Sequence, residues 1–267
     1  MRCRDNVIRR SNALGKLDRQ EAILAQLRAT PAVRIAKLAK QFDVSTETVR
    51  RDLDDMSERG LLSRTYGGAA GPPLVLEPSL DERYRTKVDQ RTSIAKAARE
   101  LVAPGDTLMI DAGSTTIYVA RQLSADLRDL TVITTSFGVA SSLATNPTVR
   151  VMVCPGQFDP GDGGVGGPDT LEYLRRFSAT TAIIGASRLD AGGPSDVNSA
   201  SAWIKRVMIE RAEQVILVAD HSKFEQRAFE NVCDLDCLDY LVTDAAPSSS
   251  FARTLAEKKV AVRVGTR

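Results

Sequence analysis

The sequence predicts an α/β protein in two parts, an N-terminal winged helix-turn-helix followed by a larger, mostly parallel α/β domain. Three observations predict it. The run VSTETVRRDL, from Val44 to Leu53, puts a hydroxyl cap, an apolar stripe and paired arginines into one short helix. From residue 107 onward, short apolar runs rich in β-branched residues alternate with helical stretches. Charge is also unevenly placed: residues 1–71 hold 14 Lys and Arg against 9 Asp and Glu, a net of +5, in a chain whose total is +2.

Within the first part, Ser45 is placed to cap the helix through its side-chain oxygen, and Thr46 and Thr48 are short enough to reach a phosphate or a base edge. Val49 and Leu53, four residues apart, share the buried face, which leaves Arg50 and Arg51 outside it. Upstream, RIAKLAKQF carries Ile35, Leu38 and Ala39 on a second short helix that starts at Arg34, and Asp43-Val44 falls in the turn between the two. Two short helices about such a turn make a helix-turn-helix. An earlier helix, about Leu17 to Arg28, supplies Ile23, Leu24 and Leu27 as the third wall of the core. After the arginine helix, Gly60 is the expected stop, Leu61 and Leu62 read as strand, and Gly67-Gly68 permits a tight hairpin with Arg64 and Tyr66 on its flank. That hairpin reads as a wing. Arginine pairs on a helix are often only a solvated surface. Here the turn, the apolar spacing and the wing occur together, so the expected DNA contacts are Arg34, Ser45, Thr46, Thr48, Arg50, Arg51, Arg64 and Tyr66.

Composition bounds the remainder. With 267 residues, 43% hydrophobic and 26% charged, the chain suits a small head and a larger body. No run reaches the roughly 18 to 20 apolar residues of a membrane span. The opening MRCRDNVIRRSN is basic without an apolar core, which predicts a flexible arm rather than a secretory signal. Cys3, Cys154, Cys233 and Cys237 have no CxxC spacing and His221 is the only histidine, so no metal site is expected and reduced thiols in the cytoplasm are the default. The partition reads as an arm over 1–16, the winged head over 17–71, a linker over 72–90 broken by Pro72, Pro73 and Pro78, and the body over 91–267.

In the body, strands are expected at 107–111, 131–135, 149–153, 181–186, 214–220, 239–244 and 260–264. Ligands of parallel sheets bind at the carboxyl ends of the strands. Three of those ends carry polar groups. DAGSTT offers Asp111, Gly113 for a backbone turn, and Ser114, Thr115 and Thr116 at a helix start, where free amides and the helix dipole favour an anion. TTS offers Thr134, Thr135 and Ser136, and VADHSK offers Asp220, His221, Ser222 and Lys223. Each has a plainer reading as capping or solvated charge. Their recurrence at successive strand ends favours a site for a phosphate and several hydroxyls.

The segment from Arg19 to Ala69, with RQEAIL, VSTETVRRDL, ERGLLSR and YGGA, resembles the DNA-binding domain of the DeoR family of bacterial transcriptional regulators. DAGSTT, TTS, IIGASRLD, KRVMIERA and VADHSKF are similar to that family's effector domain, itself similar in fold to ribose-5-phosphate isomerase. The resemblance implies a repressor of a carbohydrate catabolic operon that binds double-stranded operator DNA as a homodimer or homotetramer and is controlled by a phosphorylated sugar or related effector, with no cofactor. Carried over, the effector site comprises Asp111, Gly113, Ser114, Thr115, Thr116, Thr135, Ser136, Asp220, His221 and Lys223. Four departures stand out. Tyr66 replaces a common histidine, Thr135 a common asparagine and His221 a common serine. Where a glycine pair and a basic residue are usual, the chain has Gly156-Gln157 followed by Asp159 and Asp162. These point to an unusual or less anionic effector. Two other functions fit the composition: a sugar-phosphate isomerase or deaminase using Asp111, Asp220 and His221 as acid and base groups, and a ligand-independent DNA-binding activator.

Overall fold

The computed structural model describes residues 15–29, 32–58, 62–65, 67–70, 78 and 80–266. The basic arm, Gly60, Leu61, Tyr66, Pro72 and Pro73 lie outside them, as does the side chain of Leu24. The chain divides into two compact units, Met1–Leu76 and Glu77–Arg267.

In the first unit, α1 (Lys16–Ala29), α2 (Ile35–Phe42) and α3 (Thr46–Glu58) enclose a core that includes Ile23, Leu38, Val49, Leu53 and Met56. The expected stripe of Val49 and Leu53 is fully buried. Helix α2 ends at Asp43, whose left-handed backbone (φ 52°) lets the amides of Asp43 and Val44 both return to the Ala39 carbonyl. Ser45 then starts α3, its Oγ accepting the Thr48 N–H at 3.0 Å. Strands β1 (Ala32–Arg34), β2 (Ser63–Thr65) and β3 (Gly68–Ala70) form an antiparallel sheet in the order β1-β3-β2. The wing is therefore β2 and β3, and Leu62, expected as strand, is instead a buried anchor before it. Strand β1 was not anticipated. It explains Gly68: a Cβ there would lie 2.0 Å from the Val33 carbonyl oxygen, so only glycine lets β1 close on the wing.

One charge pair lies inside this small unit. Arg19 Nε of α1 donates to Asp52 Oδ2 of α3 at 2.5 Å, with both residues buried. Asp52 falls three residues after Val49 and four before Met56, on the face that packs inward. The pair fixes the first helix against the arginine helix in a core too small to do so by apolar area alone.

In the second unit, α4 (Leu80–Arg85) and α5 (Val88–Arg99) precede a parallel sheet. Its strands are β4 (Thr107–Ile110), β5 (Thr131–Thr134), β6 (Arg150–Val153), β9 (Ala179–Ile184), β12 (Ala212–Val218), β14 (Tyr240–Thr243) and β15 (Ala261–Val264). They lie in the order β15-β14-β12-β9-β4-β5-β6. Each coincides with a run read as strand from the sequence. Alternation along them divides the core in two. Leu108, Ile110, Val132 and Ile183 pack on α5, α6 (Ser114–Asp126) and α7 (Phe137–Leu143), whereas Met109, Ala182, Ile184 and Leu217 pack with residues of α8 (Pro168–Arg175), α9 (Ser199–Glu210) and α10 (Ser249–Glu257). The fold class is as expected.

Two small additions fall outside the strands expected from the sequence. A hairpin of β7 (Gln157–Asp159) and β8 (Gly164–Gly166) springs from the Gly- and Asp-rich PGQFDPGDGG segment, and β10 (Arg188–Asp190), β11 (Gly193–Asp196) and β13 (Glu230–Asn231) form a three-stranded sheet. Both rise near the carboxyl ends of the parallel strands.

Replacing Asp52 by alanine removes the buried carboxylate that neutralises Arg19, and the head is expected to lose about 3–5 kcal/mol of stability. Hydrogen exchange in peptides from α1 and α3 of the full chain checks this. The double variant Arg19→Met, Asp52→Leu should recover most of the protection.

Candidate functional site

The arginine helix presents its polar side outward. The Arg50 and Arg51 side chains are 56% and 81% exposed and approach Glu47 at only 3.5 and 3.7 Å. Exposed pairs of this kind are worth roughly 0–1 kcal/mol, so Glu47 holds the two guanidinium groups only loosely. Thr46 is exposed, whereas Thr48 is half-buried and its hydroxyl is 2.8 Å from Ser45 Oγ. Arg34 is exposed at the start of α2. Arg64 is tied to Asp54 at 3.0 Å and to the Gly68 carbonyl at 3.3 Å, which braces the wing against α3.

In the body, the ends of β4, β9 and β12 open into a cavity of about 250 Å3. Asp111, Gly113, Ser114, Thr115, Thr116, Asp220 and Lys223 all line it, as the sequence led one to expect. Thr116 is inward-facing, its hydroxyl bonded to the carbonyls of Asp111 and Gly113. Ser114 and Thr115 differ: no hydrogen bond ties either hydroxyl within the described residues. The first amides of α6 have no intrahelical acceptor, so this corner offers backbone N–H donors beside two hydroxyls that are able to donate. Gly113 does not act as a turn. Its φ of 167° is extended, and a Cβ there would meet only Thr116 Oγ1, at 3.5 Å.

Three expected residues are placed elsewhere. Ser136 is fully buried as the cap of α7, accepting the Val139 N–H, and does not line the cavity. His221 is also absent from the lining; its Nδ1 lies 2.7 Å from Asp244 Oδ2, an arrangement fixed by the Asp244 carboxylate accepting the His221 backbone N–H. Thr135 lines a neighbouring compartment instead.

The residues that sequence reasoning missed are the charged ones at the cavity floor and rim. Lys205 of α9, 3% exposed, reaches Asp111 at 3.1 Å and Asp196 at 2.7 Å. Burial pushes the Asp111 carboxyl up to about 6 against the pull of Lys205, helped by the nearby Asp196 charge. Burial acts the same way on Asp196, yet the Lys205 charge together with the hydrogen bonds from Lys205, Asn198 and Ser187 holds that carboxyl below its usual range. Lys205 is pulled down by burial but raised further by its two carboxylates, and stays charged. A trace of this was legible, since Lys205 lies three residues from both Ala202 and Met208 on the buried face of α9. Lys87 gave no such signal. It sits in the segment read as linker, with a left-handed backbone (φ 52°) that turns its ammonium to Asp220 at 2.7 Å and onto Ser222 Oγ. Burial raises the Asp220 carboxyl, but the hydrogen bonds from Lys87 and Ser222 prevail and hold it below its usual range. Arg83, Arg91 and Arg188 also line the cavity, so among the described residues six cationic side chains meet four carboxylates. The surplus is positive.

Both units match family models: residues 19–72 a DeoR-like helix-turn-helix domain, and residues 86–245 the DeoR C-terminal sensor domain. The chain belongs to the DeoR family of transcriptional regulators. It is similar, at 31% identity over 91% of its length and 96% of the relative's, to the glycerol-3-phosphate regulon repressor of Escherichia coli strain K12. At 30% identity, over 91% of this chain and 94% of the other, it is similar to the HTH-type transcriptional repressor CsqR of the same organism. Among solved structures, ribose 5 phosphate isomerase A from Neisseria gonorrhoeae aligns with 56% of this chain and 56% of its own at 18% identity, with a TM-score of 0.38. The DeoR-family head and sensor thus coincide with the basic unit and the cation-lined unit.

The raised Asp111 carboxyl carries a sign. Its folded pKa, about 6, exceeds its ordinary 3.8, so the folded state holds a proton that the unfolded state has released between those values. Stability from this group is therefore greatest below pH 4 and falls as pH rises to about 6. Denaturant melts of the wild type and of Asp111→Asn across that range should differ by an amount that shrinks toward pH 6, the wild type losing its advantage.

Proposed function

We propose that this DeoR-family regulator represses a carbohydrate catabolic operon in the cytoplasm and releases its operator when a phosphorylated sugar or related metabolite enters the body. The observation that carries the reading is the cavity at the strand ends, where unbonded Ser114 and Thr115 hydroxyls and the start of α6 face a surplus of lysine and arginine. Such a corner suits a phosphate. Similarity to a glycerol-3-phosphate regulon repressor and to a putative aga operon transcriptional repressor supports it.

In this reading the head, 17–71, contacts DNA through Arg34, Ser45, Thr46, Thr48, Arg50, Arg51, Arg64 and Tyr66. Arg50 and Arg51 are the leading side chains because, among the described residues, their ion-pair partner is Glu47, which is solvent-exposed. A homodimer sets two copies of α3 in successive major grooves about one helical turn apart. Effector bound in the body, 91–267, favours a conformer that grips DNA poorly, with a coupling of roughly 1–3 kcal/mol. Turnover of the effector is not part of the proposal. Asp111 is committed to Lys205, Asp220 to Lys87, and His221 faces Asp244 outside the cavity, so among the described residues these three offer no free acid-base pair beside the phosphate corner.

Alanine at Arg50 or Arg51 should cost about 1–3 kcal/mol of operator affinity if the side chain reads a base, or lower the salt slope by about one if it touches phosphate. Fluorescence anisotropy on the operator upstream of the chain's own transcription unit measures both; unchanged affinity in the double variant removes the assignment. At the cavity, Thr115→Asp sets a carboxylate against the incoming phosphate. The sugar phosphate concentration giving half-release of DNA should rise at least about tenfold. If no sugar phosphate alters operator binding by the wild type, the sensor reading fails.

A further inference from the structure

A second compartment of about 420 Å3 adjoins the phosphate corner, sharing Asp111, Ala112 and Asp162 with it. Its chemistry is the reverse. Among the described residues, no lysine, arginine or histidine lines it, while Asp111, Asp159 and Asp162 do. The β7–β8 hairpin supplies one wall, and Asn198 and Ser201 at the start of α9 supply another.

The two hairpin carboxylates are held in place from outside. Asp159 accepts the Gly161 N–H at 2.8 Å and the Asn198 amide at 3.0 Å. Asp162 accepts from Ser201 Oγ at 2.6 Å and from Arg83 at 3.1 Å. Asp162 thus has a cation, whereas both donors to Asp159 are neutral. A carboxylate oxygen has more than one lone pair, so Asp159 remains an oriented acceptor whose charge is unmatched. A separate observation points to a ligand. Thr135, 1% exposed, lines the same compartment, and its hydroxyl has no hydrogen-bond partner. Buried polar groups seldom remain unsatisfied, because each costs on the order of 1–3 kcal/mol. The Thr135 carbonyl accepts the Val165 N–H of the hairpin at 2.8 Å, which fixes its backbone beside this wall.

We infer that the effector is a phosphorylated amino sugar, its phosphate in the corner formed by Ser114, Thr115 and the cations and its protonated amine against Asp159, with Thr135 meeting a neighbouring hydroxyl. This rests on the sugar-phosphate reading above and narrows it. An ammonium brings donors alone and a positive charge, which matches acceptors that lack a cation. A second phosphate in the same place would face three carboxylates. The chain therefore rejects bisphosphates.

Isothermal titration of the full-length protein at pH 7 tests this with glucosamine 6-phosphate, galactosamine 6-phosphate, glucose 6-phosphate, N-acetylglucosamine 6-phosphate and fructose 1,6-bisphosphate. At least one free amine is expected to bind on the order of tenfold more tightly than glucose 6-phosphate, as a charge-assisted hydrogen bond allows. Acetylation should abolish the gain, and the bisphosphate should bind most weakly. Asp159→Asn should bring the amine and glucose 6-phosphate to within about twofold of each other. An unchanged circular dichroism spectrum shows that the variant is folded. Equal binding of amine and hydroxyl sugars by the wild type, or preference for the acetylated or doubly phosphorylated sugar, overturns the inference and leaves the phosphate corner standing. Failure of every phosphate to bind overturns both readings.

Discussion

The body of this regulator is organised around one buried charge cluster, Asp111–Lys205–Asp196. Taking three charges out of water is costly, and the arrangement holds only while each group stays within contact of its partner. The three come from separate elements: the end of β4, the middle of α9 and the end of β11. A fourth segment joins through the Gly185 amide after β9, which donates to Asp111 at 3.2 Å. The cluster therefore sets the register of the sheet's central strand ends against α9. Both compartments inherit their shape from it, since Asp111 lines each.

Around that cluster the charge is sorted by position. Lysine and arginine collect where the first turn of α6 already favours an anion, and the hairpin of β7 and β8 brings carboxylates to the other side. A site divided in this way discriminates between ligands by which end carries which charge, and like-charge contact penalises the wrong one. The head shows the same economy on a smaller scale. Asp52 is spent inside, neutralising Arg19, whereas Glu47 sits in water and holds Arg50 and Arg51 only loosely. The buried pair fixes α3, and the exposed pairs leave its surface available.

Much of the fold was legible because it rests on local signals. The strands of the large sheet follow from apolar β-branched runs, and the helix-turn-helix follows from the spacing of Val49 and Leu53, the Ser45 cap and the Asp43 turn. Hydroxyls at the start of α6 follow from local order as well, because a strand that ends in DAGSTT has nowhere to place Ser114 and Thr115 but at the helix start. The β7–β8 hairpin escaped notice because glycine and aspartate mark turns more strongly than short strands. His221 and Ser136 were misjudged for a related reason. Proximity in sequence to a strand end says nothing of which way a side chain points, and a carboxylate twenty-three residues away turned the histidine aside.

By itself, the sequence determined the two-part architecture, the helix that leaves Arg50 and Arg51 exposed and the strand ends that could hold an anion, because periodicity, capping and composition act over a few residues. Only the tertiary structure decided which charges meet. Lys87 reaches Asp220 across 133 residues, and Lys205 closes on Asp111 from the opposite side of the sheet. A charge is legible in a sequence as a letter, but its pKa, its partner and its use depend on burial and distance, which exist only once remote segments have packed together.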